Sequence, residues 1–316
     1  MRSPPTYYQK MYAIENLQGF TLARLTSERC SIAVLPGLGA KIVSLTDLRT
    51  KREWMWRPPG PLRLWENPQG SSFMDSTFVG ADECLPTIKS CVWRGREIPD
   101  HGEVWNADWA LDEERLRDGV IRTSTRLPRS PFLFERSISI ARHVIRLDYR
   151  LTNTGTEPES WLWALHPLLS LEPDDRLDLP PEVRHLHVYL AKQLNFPPGT
   201  VLAWPEPAPG INLQELRLAG VEAYLKSFPG PLHEGWARIA NPRTNDALTF
   251  RWDLVANPYL GVWLTRGGFN GWHHPAIEPT NAGTDCLADA AQENAMPRII
   301  PGETRTWHVE LVVGED

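Results

Sequence analysis

The sequence has no stretch approaching 18 uncharged apolar residues, which excludes a membrane-spanning helix. Its opening segment, MRSPPTYYQKMYAIENLQG, lacks the apolar core of a signal peptide, so a cytoplasmic protein is expected. Cysteine is scarce: Cys30, Cys84, Cys91 and Cys286 form no CxxC pair and no compact framework. Reduced thiols follow, with neither a zinc site nor a disulfide staple expected. Basic clusters are absent and the net charge is −6, which argues against a nucleic-acid partner. There is no Ser/Gly spacer and no internal repeat. Helical periodicity is almost missing, and no Gly-rich phosphate loop, GxSxG elbow or HExxH helix occurs.

Two counts are high instead: 29 prolines and 14 tryptophans. That much proline implies many loops and edge turns and few long helices. The tryptophans exceed ordinary core needs, and indole faces are good platforms for the apolar faces of sugars, although most of the fourteen are expected in the core. Period-2 alternation recurs along the chain. SIAVLPGLGAKIVSL reads as two strands around a Pro-Gly turn. FERSISIARHVIRLDYRLTNTG alternates with a change of phase near His143, which predicts a hairpin or a bulge. ALTFRWDL and YLGVWLTRGG read as another pair split by Asn257-Pro258, and TRTWHVELVVGED as a final paired strand. Helices are expected only around DAAQENA, near residue 290, and over NLQELRLAGVEAYLKSF. The expectation is one all-β domain over 1–316, a large antiparallel β-sandwich with few short helices, preceded by a loose tail at 1–10.

Against this background a few titratable residues stand in unusual company. WLWALHPLLSL puts His166 inside a run of tryptophans, alanine and leucines. Such a histidine is either a core side chain with a hydrogen-bond partner or a titratable group kept dry for chemistry. PAIEP reads as the end of a buried strand, where an inward Glu278 is costly unless paired or functional. FVGADECLPTI sets Asp82 and Glu83 between Gly80 and Pro86, as a site or as a solvated turn. IPDHGEVW holds His101 in a Pro-Asp-His-Gly loop, as a ligand contact or a turn cap. His185 and His187 share one strand face without a third ligand, which favours a surface strand. His273 and His274 read as a loop that could line the same cleft as Glu278.

Taken in order, PGLGAKIVSLTDLRTKREWMW, DHGEVW, LTNTG followed by WALHPLLSL, AIEPTNAGTDCLADA and IIPGETRTWHVELVV resemble the aldose 1-epimerase (galactose mutarotase) family, as a divergent mutarotase-like branch. They span roughly residues 30–313, nearly the whole chain. The resemblance implies the family's large antiparallel sandwich and its reaction, interconversion of the α and β anomers of a free sugar, with no cofactor and no metal. By the same resemblance His166 is a general acid acting on the ring oxygen, Glu278 a general base at the anomeric hydroxyl, and His101 a sugar contact near the ring oxygen. The reaction explains those residue types, because a proton leaves O1 as another reaches O5, and the roles reverse on closure.

The chain departs from the family where sugar hydroxyls are read. HPLLSL stands where HPYFNL is usual, GADECLPTI stands where an arginine is common, and INLQELRL offers only Glu215 for the expected aspartate. Asp82 or Glu83 are candidates to replace those readers, and Trp105 and Trp263 to stack on the ring. The expected partner is a small-molecule sugar, bound by a monomer or homodimer. A non-catalytic sugar-binding sandwich of the same fold is the alternative. Arg94 and Arg96, near His101, leave an anionic substituent on the sugar open beside the plainer reading of a solvated pair.

Overall fold

A computed structural model of the chain describes residues 11–216, 222–292 and 296–314, so the tail at 1–10 lies outside the described residues. The architecture is an all-β antiparallel sandwich. Among the described residues one sheet has eleven strands, and its centre runs in the order Lys41–Asp47, Ala81–Cys84, Ala164–Pro167, His273–Thr280, Tyr259–Arg266, Ala223–Phe228. Among the same residues the second sheet has eight strands, centred on Asp246–Trp252, Thr304–Val313, Val144–Asn153 and Phe132–Ala141.

The alternation explains how the sheets meet. In the strand Phe132–Ala141, Phe132, Phe134, Arg136, Ile138 and Ile140 are buried while Leu133, Glu135, Ser137 and Ser139 are partly exposed. The buried apolar ones form one core with Ile32, Leu45, Leu225, Val262 and Ile277 of the larger sheet. Burying one face of each sheet against the other supplies most of the hydrophobic stabilisation. The hairpin at His143 is tight: Ala141 pairs with Val144, and Arg142 takes φ of 55° in the turn. The last strand, Thr304–Val313, pairs on both sides, as its alternation predicts.

Two expectations are corrected. ALTFRWDL and YLGVWLTRGG do not pair; Asp246–Trp252 belongs to the eight-stranded sheet and Tyr259–Arg266 to the other. The turns around Asn257-Pro258 carry the chain from one layer to the next, and neither strand's alternation records that crossing. NLQELRLAGVEAYLKSF is not a helix: a 3₁₀ turn covers Leu213–Glu215, residues 217–221 lie outside the described residues, and Ala223–Phe228 is a central strand. A helix does form at Leu287–Gln292, close to the expected place. Among the described residues no helix is long and apolar enough to cross a membrane.

Candidate functional site

Strand register decides which side chains meet. Ala164 pairs with Thr280 and Leu168 bridges Ala276, so His166 lies directly across from Glu278. Both project from the outer face of the eleven-stranded sheet, because Trp163 and Leu165 on one side, and Ile277 on the other, fill the core between the sheets. The His166 Nε2 stands 3.7 Å from the Glu278 Oε1, close but beyond a hydrogen bond. Glu278 pairs with Gly261 on its other side. Since Gly261 has no side chain, Lys226 reaches across from the next strand and binds the Glu278 Oε2. A Cβ at Gly261 would stand 3.1 Å from both that oxygen and the lysine Nζ. The Lys226 Nζ also lies 3.3 Å from the Asp285 Oδ1.

These groups open into a hollow of about 600 Å³, lined also by Phe73, Phe78, His101, Tyr189, Trp263 and His274. Its size is that of a small-molecule site. Polar atoms without a partner converge on it: the His166 Nδ1, both nitrogens of His274, and the Glu278 Oε1. Buried polar atoms rarely go unpaired, so such a cluster marks a place shaped for a polar ligand.

Electrostatics set the protonation states. Burial pulls the His166 imidazole well below its ordinary value, and the charges of His101 and Lys226 push the same way. Burial likewise lowers His274 to about 3. Burial also weighs against the Lys226 ammonium, yet Asp285 and Glu278 outweigh it and hold it above its ordinary value. Asp285 is raised by burial, against the pull of Lys226. At pH 7 the His166 and His274 imidazoles are therefore neutral, beside a protonated lysine clamped between Glu278 and Asp285.

The loop that carries His101 is fixed by backbone. Glu103 N–H donates to the Leu85 carbonyl at 2.7 Å, and a Cβ at Gly102, where φ is +77°, would stand 2.1 Å from that oxygen. Only glycine fits there. The His101 ring stacks on Phe73 with centroids 3.7 Å apart and meets His166 edge-on at 5.2 Å. Its Nδ1 lies 3.1 Å from the Asp100 Oδ2.

The remaining expected site residues divide. Trp263 lines the hollow, braced by Tyr224 at 5.1 Å between centroids. Trp105 does not; it is buried beneath Phe73, with its indole N–H donating to the Asp100 carbonyl. Asp82 pairs with His166 in register and shares its face, but its carboxylate is taken up by Lys41. Glu83 faces the opposite way, into the core, where it accepts from Arg136 at 2.7 Å, Tyr149 at 3.0 Å and Trp163 at 2.8 Å. Burial raises both carboxyls against the pull of those cations. Neither is a solvated turn and neither lines the hollow. Arg96 and Arg94 turn to Glu159 at 2.6 and 3.9 Å, and Glu215 to Arg176, all away from the site. His274 lines it from a strand rather than a loop, while His273 is exposed. Lys226 and Asp285 do not stand out in the sequence: the lysine falls in NLQELRLAGVEAYLKSF, where a helix is expected and would leave it solvated. Its central position in AYLKSF, a run with strand composition, was the available signal.

No protein-family model and no curated protein matches the chain. Solved structures do match in fold. A galactose mutarotase-like protein from Lactobacillus casei superposes with a TM-score of 0.66 at 16% identity, covering 96% of this chain and 100% of the other. One from Clostridium acetobutylicum gives 0.67 at 13%, covering 97% and 99%. A galactose mutarotase related enzyme from Lactobacillus acidophilus gives 0.63 at 16%, covering 97% and 98%. The fold is thus that of the galactose mutarotase-like sandwiches.

Proposed function

We propose that the hollow binds a free aldose and that His166 and Glu278 catalyse interconversion of its α and β anomers. The observation that carries this reading is the facing pair: two titratable side chains 3.7 Å apart, each with an unpartnered atom, at the floor of one hollow. Glu278, ion-paired to Lys226, takes the proton of the anomeric hydroxyl. The C1–O5 bond then breaks with its electron pair going to O5, C1 and O1 become a carbonyl, and a proton reaches O5 from His166. Rotation about C1–C2 followed by the reverse steps closes the ring to the other anomer. His101, packed against Phe73 beside His166, contacts the sugar near O5, and Trp263 offers a face to the ring. Asp82, Glu83 and Trp105 have no part in binding, because their side chains are engaged elsewhere.

Burial keeps most of the His166 population neutral at pH 7, so the proton-delivering imidazolium is the minor form. The Glu278 charge beside it and the charge growing on O5 both favour that form as the reaction proceeds. The rate should therefore rise as pH falls below 7 and more of the His166 population is protonated.

The test follows freshly dissolved α-anomers of several aldoses by polarimetry or saturation-exchange NMR. Wild type should equilibrate at least one sugar faster than buffer, and His166→Ala and Glu278→Gln should each lose about 10²- to 10⁴-fold of that rate. Binding of a sugar without faster equilibration would leave a sugar-binding sandwich and end the catalytic reading.

A further inference from the structure

The hollow does not end at the facing pair. Met74 and Phe78 line it and also line a second hollow of about 390 Å³, walled by Arg63, Trp65, Asn270 and Trp272. A track of rings joins the two. His101 stacks on Phe73 at 3.7 Å, Phe73 meets Phe78 at 5.2 Å, and Phe78 meets Trp272 at 4.8 Å. At the outer end Trp65 keeps 44% of its surface exposed. It is fixed there because its indole N–H donates to the Asp75 carbonyl at 2.9 Å, and the Asn67 amide donates to the same oxygen at 3.0 Å.

An indole held rigid and half exposed loses little entropy on meeting a ligand and presents a wide apolar face. Around it stand an exposed guanidinium, Arg63, and the Asn270 amide, which suit hydroxyls at the edge of a ring. Apolar face with polar rim is the pattern that pyranoses present in return, C–H groups on one side and hydroxyls around the edge. Polarity along the track fixes direction as well. Titratable groups crowd the inner end, so the reducing sugar sits there, and whatever it carries points outward over Phe78.

Resting on the anomeric reading of the inner hollow, we propose that the outer hollow is a second saccharide subsite. The substrate is then a reducing disaccharide or longer oligosaccharide, whose next sugar residue lies against Trp65.

Binding is read without turnover, by calorimetric titration of glucose against maltose, cellobiose and lactose, each of which ends in a reducing glucose. Wild type should bind at least one disaccharide tenfold or more tighter than glucose. Trp65→Ala should remove that advantage and Arg63→Ala should reduce it; both side chains are exposed, and a thermal melt verifies that each variant folds. Equal affinity for glucose and all three disaccharides, an advantage surviving both substitutions, or no binding of any of the four sugars overturns the subsite. The anomeric reading stands or falls separately. Glucose equilibration without a disaccharide advantage sinks the subsite alone, and a disaccharide advantage without equilibration of any sugar sinks the anomeric chemistry alone.

Discussion

Glu83 and Glu278 are both fully buried, lie on strands of one sheet, and each faces a cation, yet they occupy opposite faces and opposite conditions. Glu83 points between the sheets with both oxygens bonded, one to Arg136 and Tyr149 and the other to Trp163. Glu278 points outward, gives one oxygen to Lys226, and leaves the other without a partner 3.7 Å from His166. Burial of a carboxylate, then, does not by itself mark a site. A saturated buried network rigidifies a core, whereas an unspent acceptor at the wall of a hollow holds capacity for something that arrives.

The largest effects should separate the two glutamates. Glu278→Gln keeps shape and removes the base, so equilibration should fall about 10³-fold, measured by polarimetry, while the denaturant midpoint moves less than in Glu83→Gln because Asp285 still faces Lys226. Glu83→Gln should do the reverse. It leaves Arg136 buried without its counter-charge, at a cost of about 3–5 kcal/mol in urea unfolding, with the rate per folded molecule nearly intact. If Glu83→Gln instead abolishes turnover in a stable protein, the contrast drawn between the two faces is wrong.

The contrast was half legible beforehand. His166 and Glu278 stood out because each interrupts an apolar run, and a buried charge there demands a reason. Asp82 and Glu83 looked alike because neighbours in a strand look alike in sequence, although alternation must send them to opposite faces. What took them out of consideration, Lys41 and Arg136, comes from strands far along the chain, and no local pattern announces those pairings. The sandwich was legible from alternation in Phe132–Asn153 and Thr304–Val313. Sheet membership was not, since ALTFRWDL and YLGVWLTRGG each alternate correctly whichever layer they join. Lys226 was lost to the same cause: its segment read as helical, and only tertiary pairing makes it a central strand.

A medium effect concerns pH, and it belongs to the outward face. His274 packs against Trp56 at a tilt, with centroids 4.5 Å apart, and burial pulls its pKa to about 3 where an ordinary histidine has 6.5. Between those values the unfolded chain binds a proton that the folded chain refuses, so stability is held above pH 6.5 and lost as pH falls toward 3. The loss from this residue by pH 5 is about 2 kcal/mol. His166 contributes in the same direction. In His274→Phe the difference in unfolding free energy between pH 7 and pH 5 should shrink by that amount, as followed by denaturant titration at each pH. An unchanged difference would mean that the imidazole is not held neutral.

The smallest effect tests the clamp that distinguishes Glu278 from its inward counterpart. Gly261→Ala would place a Cβ 3.1 Å from both the Glu278 Oε2 and the Lys226 Nζ, which is tight but not forbidden. The lysine, being long, gives way more easily than the strand backbone, so the ion pair loosens while the fold remains. Glu278 then samples other orientations, and its free oxygen spends less time facing His166. Equilibration should fall about tenfold, equivalent to about 1.4 kcal/mol, mostly in kcat rather than KM. Stability should change by about 1 kcal/mol or less, since no network is broken and no charge is left alone. A rate equal to wild type would mean that the lysine clamp does not orient the carboxylate, and that the open oxygen of Glu278, rather than its tethered one, carries the whole difference from Glu83.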